Sequence, residues 1–477
     1  MTNRPIHRVI PLASTVVTLV AMACDNSVEP KPEFAVFPVA VVLQEGMKTS
    51  VRVMTPSPDT ALVRQVTWST SAPSIATVDQ TGNIVAVMPG VASISARVGT
   101  SSESTTVTVR RRDGLLTSTI GSTCAVTTAG AGICWGTDFI PTLRSSDAVS
   151  FALSNYTACF IKSSGATSCS GNNFFGELGA GFTGSFSVQP LQVAGDNHFL
   201  AVYAGGTNDD LASQCLDALC GYETCAITDD GSPYCWGYDA VTGAFPAASY
   251  PRPLKGVLNF QSIGIGAMYI CGVSVDKTLE CAGNNRYGQL GSGGHGVDRL
   301  SFNMTSLIYR IPFESVSAGS THVCAIADDG KAYCWGANDS GQLGAPSNES
   351  CWLAKVTVAC RGSPVEVVGG YRFKSISAGQ STTDNDARHV SHTCGITKDD
   401  SLVCWGSNAF GQLGNGTQID SPSPVPVSGG LKFRSVSAAR SYTCAVTIAG
   451  QPMCWGVRAG MAPALVPQPL PGGYVLM

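Results

Sequence analysis

One spacing recurs seven times along this 477-residue chain: a cysteine followed by a second cysteine ten positions later. The pairs begin at Cys124, Cys159, Cys225, Cys271, Cys324, Cys394 and Cys444, and end at Cys134, Cys169, Cys235, Cys281, Cys334, Cys404 and Cys454. They follow one another at intervals of 35 to 70 residues. Such a period marks an array of units that bury little alone and rely on their neighbours. A second element precedes each pair, clearest as FESVSAG from Phe313, FKSISAG from Phe373 and FRSVSAA from Phe433, with weaker copies from Phe199 and Phe260. Phe-x-Ser-Val alternates as a strand does, and Cys-Ala-Ile-Thr gives a second strand. Asp-Asp-Gly is a three-residue hairpin loop with Gly231 or Gly330 at the left-handed position. Tyr-Cys-Trp-Gly is the third strand, and a Pro-rich run such as 424–427 reads as a frayed outer fourth. The expected fold is all-β.

The most specific run is Cys-Trp-Gly-x-Asn-x-x-Gly-Gln-Leu-Gly, nearly whole at 334–344 and 404–414 and relaxed at 281–291 and 169–179. Residues 114–477 thereby resemble the regulator of chromosome condensation repeat family. That resemblance implies a seven-bladed β-propeller. The first, third and seventh copies lack Gly-Gln-Leu-Gly. The Trp of Cys-Trp-Gly, at Trp135, Trp236, Trp335, Trp405 and Trp455, recurs at one repeat position, which favours packing between blades over ligand stacking.

An odd-length hairpin loop sets the two cysteines of a pair opposite each other, within bridging range. The chain has 19 cysteines. Seven hairpin bridges use fourteen, while Cys215 with Cys220 and Cys351 with Cys360 use four more. Cys24 is left over. Zinc is the rival reading, but spacings of ten lack the short Cys-x-x-Cys knuckle. So many cysteines point to disulfides and an oxidising compartment.

The N-terminus agrees with export. Arg4, His7 and Arg8 precede a charge-free apolar run from Val9 to Ala23, too short to favour a permanent span. Its end, Ala21-Met22-Ala23-Cys24, resembles a bacterial lipoprotein signal, with residues 1–23 removed and Cys24 acylated. Ala21-x-Ala23 would equally serve ordinary signal peptidase, and an uncleaved anchor would also export the remainder of the chain. Residues 24–34, with Pro30 and Pro32, read as a tether. Residues 35–110 alternate apolar and polar between breakers, the pattern of a small antiparallel sandwich. Trp68 there, the run 76–79 leading to a turn at Gly82, and Gly90 opening the next strand resemble a bacterial immunoglobulin-like group 2 domain. That resemblance implies a spacer or adhesive module, here a stalk beneath the propeller. Trp68 is expected in its core.

Charged residues make up 13% of the chain and the net charge is −4, so there is no basic stripe for nucleic acid. No nucleophile elbow, phosphate loop or His-Glu-x-x-His run is present. No catalytic residue, cofactor or metal site is expected. His322 and His392 share one repeat position and read as structural, and His389 with His392, Asp384 and Asp386 lacks an evident further ligand. The leading reading is a binding or scaffold protein of the cell envelope, anchored in the membrane by lipid, with a protein or glycan partner. The alternatives are a secreted enzyme inhibitor resembling the propeller-type β-lactamase inhibitory protein, and an envelope polysaccharide-active enzyme. Nucleotide exchange on a small GTPase, the activity the family resemblance brings to mind, belongs to the cytosol and does not follow from fold alone.

The repeat lengths locate a candidate face. Strands alternate in direction, so the first and third connections of every blade leave from one end and the hairpins from the other. Four residues separate Gly319 from Cys324, against nineteen between Gly205 and Cys225 and fourteen between Gly379 and Cys394. Residues 345–363 enlarge a third connection. Segments 206–222, 345–363 and 380–392 are therefore expected at one end, with Asp209, Asp210, Trp352 and Arg388 as partner contacts. Long loops in a compact repeat protein are more often functional than idle.

Overall fold

A computed structural model of the chain describes residues 34–476 apart from 56–65, 89, 111–115, 120–121, 128–130, 137–146, 155, 207–221, 238–247, 255–258, 297–298, 305–309, 354–355, 381, 384–388, 459–462, 471–472 and 474. Cys24, Asp209, Asp210, Cys215, Cys220 and Arg388 lie outside the described residues, as do the expected signal and nearly all of the tether. No helix among the described residues is long and apolar enough to cross a membrane.

Residues 35–110 form an immunoglobulin-like sandwich of a four-stranded and a three-stranded sheet, with a short two-stranded pair between Ala35–Phe37 and Arg52–Met54. Apolar residues at alternate positions meet between the sheets: Trp68, Ile84, Ile94, Ala96 and Val107 are buried there. The turn before Asn83 is shaped by Asp79, whose Oδ1 accepts from the amides of Thr81 and Asn83 at 2.8 and 2.9 Å. Gly82 follows with φ +85°, and a Cβ there would sit 2.3 Å from the Val51 carbonyl. The sandwich is not wholly antiparallel as its pattern suggested: Ala40–Gln44 runs parallel to the end of Ser101–Arg110. Alternation of apolar residues reports which face is buried but carries no information on strand direction, which long connections set.

Seven further sheets of three or more strands follow in chain order, with one two-stranded pair in a connection of the sixth. In the sixth, Phe373–Ala378 pairs with His392–Thr397, then Leu402–Gly406, then Ser421–Pro426, all antiparallel. The first sheet has three strands among the described residues, and the fifth gains a strand, Glu349–Leu353. The outer strand of the sixth pairs irregularly, with a register shift between Cys404 and Gly406. Val403 faces Pro426 and Cys404 faces Val425. Pro422, Pro424 and Pro426 are tolerated because their blank N–H positions can point to solvent at a sheet edge, and the same gaps discourage a further strand.

The inner strands surround a central cavity of about 690 Å³. Blade stacks on blade through the aromatic residues of the repeat. Within each blade Phe313, Phe373 and Phe433 are buried, with ring centroids 6.2, 5.9 and 6.3 Å from Trp335, Trp405 and Trp455 of the same sheet. Those tryptophans reach the preceding blade through their indole nitrogens. The amides of Phe260, Phe313, Phe373 and Phe433 donate to the carbonyls of Gly231, Lys277, Gly330 and Asp400, in the hairpin of the preceding blade. Each of those four acceptors has positive φ, which turns its carbonyl toward the next blade. The ring closes where Thr127 bridges Leu476 and the Tyr442 hydroxyl donates to the Ser122 carbonyl at 2.9 Å.

Candidate functional site

The cysteines of every hairpin pair stand directly opposite in register, with Cα atoms 4.0–4.1 Å apart, and are bonded. This is closer than the usual span of facing strands, as in a narrow, non-hydrogen-bonded pair. Cys351 and Cys360 form an eighth bridge. These bridges fit an oxidising, extracytoplasmic compartment. The tightest groupings of metal-type side chains among the described residues are His295 with Cys351 and Cys360, and Glu223 with Cys225 and Cys235. In both the cysteines are disulfides, so neither grouping offers a thiolate to an ion.

The Gly-Gln-Leu-Gly run is a connector between blades. Gln412 Oε1 accepts from the Phe410 amide at 2.9 Å, and Asn408 Oδ1 accepts from the Leu413 amide at 2.9 Å. So braced, the Gln412 carbonyl receives Trp455 Nε1 at 2.8 Å and Thr443 Oγ1 at 2.8 Å from the next blade. The same tryptophan bond runs from Trp335 to Gln289, Trp405 to Gln342 and Trp236 to Glu177. Gly414, with φ +66°, lies so near Trp455 that a Cβ would meet the indole at 2.5 Å. These tryptophans are therefore packing residues.

His322 and His392 act between blades too. Thr393 Oγ1 donates to the Gln342 carbonyl at 2.8 Å, so it accepts from His322 Nε2 at 2.9 Å, which fixes the proton on Nε2. His392 Nε2 meets Thr443 Oγ1 in the same way at 2.7 Å. Burial pushes both imidazoles down to about 3. At the equivalent position Tyr269 reaches the Gly319 and His322 carbonyls at 2.6 and 2.9 Å. His389 stands in a two-residue strand opposite Thr383, while Asp384 and Asp386 lie outside the described residues.

The two ends of the propeller differ. At one end, where Ala378 pairs with Thr393 and Gly406 with Ser421, lie the first and third connections. The described parts of two long segments extend from it. Glu349–Leu353 forms a hairpin with Val356–Glu366 that puts Trp352 opposite Thr357, and Thr382–Thr383 pairs with His389–Val390. The third segment, 207–221, lies outside the described residues, and the Trp352 side chain is likewise outside them.

This loop end also carries aromatics that the repeat-length argument did not select. In the third connection of the second blade, Phe174, Phe182 and Phe186 are 65%, 53% and 41% exposed. Asn173 Nδ2 donates to the Phe182 carbonyl at 3.0 Å, folding this connection back on itself. The Gly181 amide donates to the Ser249 carbonyl at 2.7 Å, which brings the segment beside exposed Tyr250 of the third blade. Arg252 lies 5.1 Å from the Tyr250 ring centroid. The signal was in the sequence: Phe174 takes a variable position of the connector where the family motif asks for no aromatic.

Comparison with known proteins places this geometry. Residues 313–342, 329–383 and 399–446 match the Regulator of chromosome condensation (RCC1) repeat, and residues 32–109 match the Bacterial Ig-like domain (group 2). The chain is 27% identical to the Arabidopsis thaliana Ultraviolet-B receptor UVR8 over 302 residues, which are 52% of this chain and 62% of that one. It is 25% identical to the human Probable E3 ubiquitin-protein ligase HERC4 over 189 residues, 39% of this chain and 16% of that one. The chain thus spans less than two thirds of these relatives. Among solved structures, yeast RCC1 (Prp20) bound to Kap60 superposes with a TM-score of 0.56 at 16% identity, covering 76% of this chain and 85% of that one. Human WBSCR16 superposes with a TM-score of 0.55 at 13% identity, covering 72% and 84%. This chain therefore carries Regulator of chromosome condensation (RCC1) repeats folded as a seven-bladed propeller, behind a bacterial Ig-like domain of group 2.

Proposed function

We propose that the protein is a non-catalytic binding protein of the bacterial cell envelope, held to the membrane by an acylated Cys24, which engages a protein or glycan partner through the loop end of its propeller. The observation that carries the reading is the concentration of elaboration at that end. The described parts of the extended segments at 345–363 and 380–392 emerge there, and exposed Phe174, Phe182, Phe186 and Tyr250 lie at the same end. Aromatic side chains supply much contact area at little entropic cost and recur at the energetic centres of interfaces. The comparison structures bear on this in kind: one shows yeast RCC1 with Kap60, and another concerns binding of Prp20p to Gsp1p and histones. An RCC1-type propeller is thus a known surface for proteins, although those partners do not transfer to this chain.

The test uses the full chain in envelope preparations, with a photocrosslinking residue at position 182 on the loop end or at position 164 in a hairpin of the opposite end. Crosslinks to a discrete partner from position 182 alone are expected. Shortening 345–363 and 380–392, together with Phe174→Ala and Phe182→Ala, should reduce them at least tenfold, as loss of several anchor side chains would. Equal crosslinking from position 164, or full retention after those changes, would overturn the assignment. The anchor is tested by metabolic labelling with a fatty acid, which should mark the wild type and not Cys24→Ser.

A further inference from the structure

We propose that the Ig-like domain is a fixed stopper: its turn at residues 44–47 closes the hairpin-end mouth of the central channel and locks sandwich and propeller into one rigid body. The expected stalk is thereby a seated plug. The Met47 amide donates to the Gln44 carbonyl at 3.0 Å, and the Gly46 amide to the Ala86 carbonyl at 2.8 Å, forming a tight turn with Gly46 at φ +84°. Glu45 lies at its tip. Glu45 lines the channel together with Lys374 and Arg434. Both cations occupy the second position of their inner strands, which is the hairpin end.

Charge favours this seat. Lys374 pairs with Asp400, and Arg434 donates through Nη2 to the Leu476 carbonyl. With Asp400 matching Lys374, the half-buried Arg434 guanidinium requires a further carboxylate nearby, and Glu45 supplies it. A like-charged or absent partner would leave that cation uncompensated in a partly desolvated place. The backbone fits as well. The Lys48 amide donates across the domain boundary to the Ser163 carbonyl at 3.0 Å, and Ser163 lies in the hairpin of the second blade. Gln44 and Met47 are both buried. One continuous apolar cluster runs from Trp68 and Ile94 of the sandwich through Leu43 and Met47 to Val149, Leu200 and Val202 of the propeller. A flexible tether would show none of these contacts.

Among the described residues the hairpin-end mouth is thus covered, and the sandwich leaves the propeller on the side away from the loop end. This holds whatever the loop end binds. Hydrogen exchange on the full-length protein reads the docking directly, because the Lys48 amide is satisfied by Ser163 and not by the sandwich's own ladder. Protection of the Lys48 amide at least tenfold above an exposed amide is expected in the wild type. In Glu45→Arg that protection should fall at least tenfold, while the interior amides of Ile84 and Ile94 keep theirs. Spin labels introduced at Ser102 and Ile419 should give one narrow distance in the wild type and a broad distribution in the variant. A freely exchanging Lys48 amide beside a protected Ile84, or a broad wild-type distribution, would overturn the rigid body. Unchanged protection and distance in Glu45→Arg would overturn the role of the Glu45 turn.

Discussion

At the scale of single residues, Glu177 is the informative departure from the repeat. It stands where the other connectors have Gln289, Gln342 and Gln412. Its Oε2 accepts from the Phe175 amide at 2.8 Å, as Gln289 Oε1 does from Tyr287 at 2.8 Å. In the fourth blade Gln289 Nε2 also donates to Asn284 Oδ1 at 2.9 Å. In the second blade the direction is reversed: Asn172 Nδ2 donates to Glu177 Oε1 at 3.3 Å, and Asn172 Oδ1 is left buried without a hydrogen bond among the described residues. Burial raises the Glu177 carboxyl above its ordinary value. A raised folded-state value means stability is lost as pH climbs through the carboxylate range. Glu177→Gln should therefore stabilise the protein by about 1 kcal/mol at pH 7, the cost of one unsatisfied buried group. Denaturant titration at pH 7 checks this, and a destabilised variant would refute it.

The histidines give the opposite slope. His322 and His392 are neutral in the fold, with values near 3, yet would bind protons from 6.5 downward once unfolded. Their contribution is whole above about pH 6.5 and is lost as pH falls toward about 3, by about 1.4 kcal/mol per pH unit for each histidine. Unfolding midpoints measured from pH 7 to pH 4 should show a shallower decline in His322→Asn/His392→Asn than in the wild type, although that variant starts less stable.

At the scale of the element, each hairpin is stapled across one narrow pair, and each connector is docked by one tryptophan. Removing the Cys394–Cys404 bridge with paired Ala substitutions should cost about 2–3 kcal/mol, the chain-entropy value for a loop this short. Trp405→Phe keeps most of the apolar bulk but deletes the bond to the Gln342 carbonyl. It should cost about 0.5–1.5 kcal/mol, the net value of one hydrogen bond, because the Gln342 carbonyl keeps Thr393 Oγ1 as a donor. Thermal unfolding of both variants under non-reducing conditions provides the comparison, and neutral outcomes would show that adjoining blades hold the elements without these contacts.

At the scale of the whole molecule, the ring closes through packing and the return of the last residues. Leu476 is fully buried, bridges Thr127 of the first blade, and donates its amide to the Gly450 carbonyl of the seventh at 2.8 Å. Leu476→Ala should destabilise by about 2–5 kcal/mol, as for other buried leucines. Hydrogen exchange should then rise first in the first and seventh blades, since a propeller opens most easily at its seam.

The sequence by itself determined the repeat, the blade count, the facing cysteines and the core of the sandwich. These follow from local spacing: period two sets which residues face inward, and a fixed loop length sets which residues face each other. Its repeat lengths also indicated that long connections share an end, because strand direction alternates without exception inside a blade. Only tertiary structure decided the parallel pair in the sandwich, the tautomer of His322 and the Phe174–Phe182–Tyr250 cluster. The seat of Glu45 beside Arg434 was decided there as well. Each joins residues distant in sequence through contacts that no periodicity encodes, and Glu45 and Arg434 come from different domains.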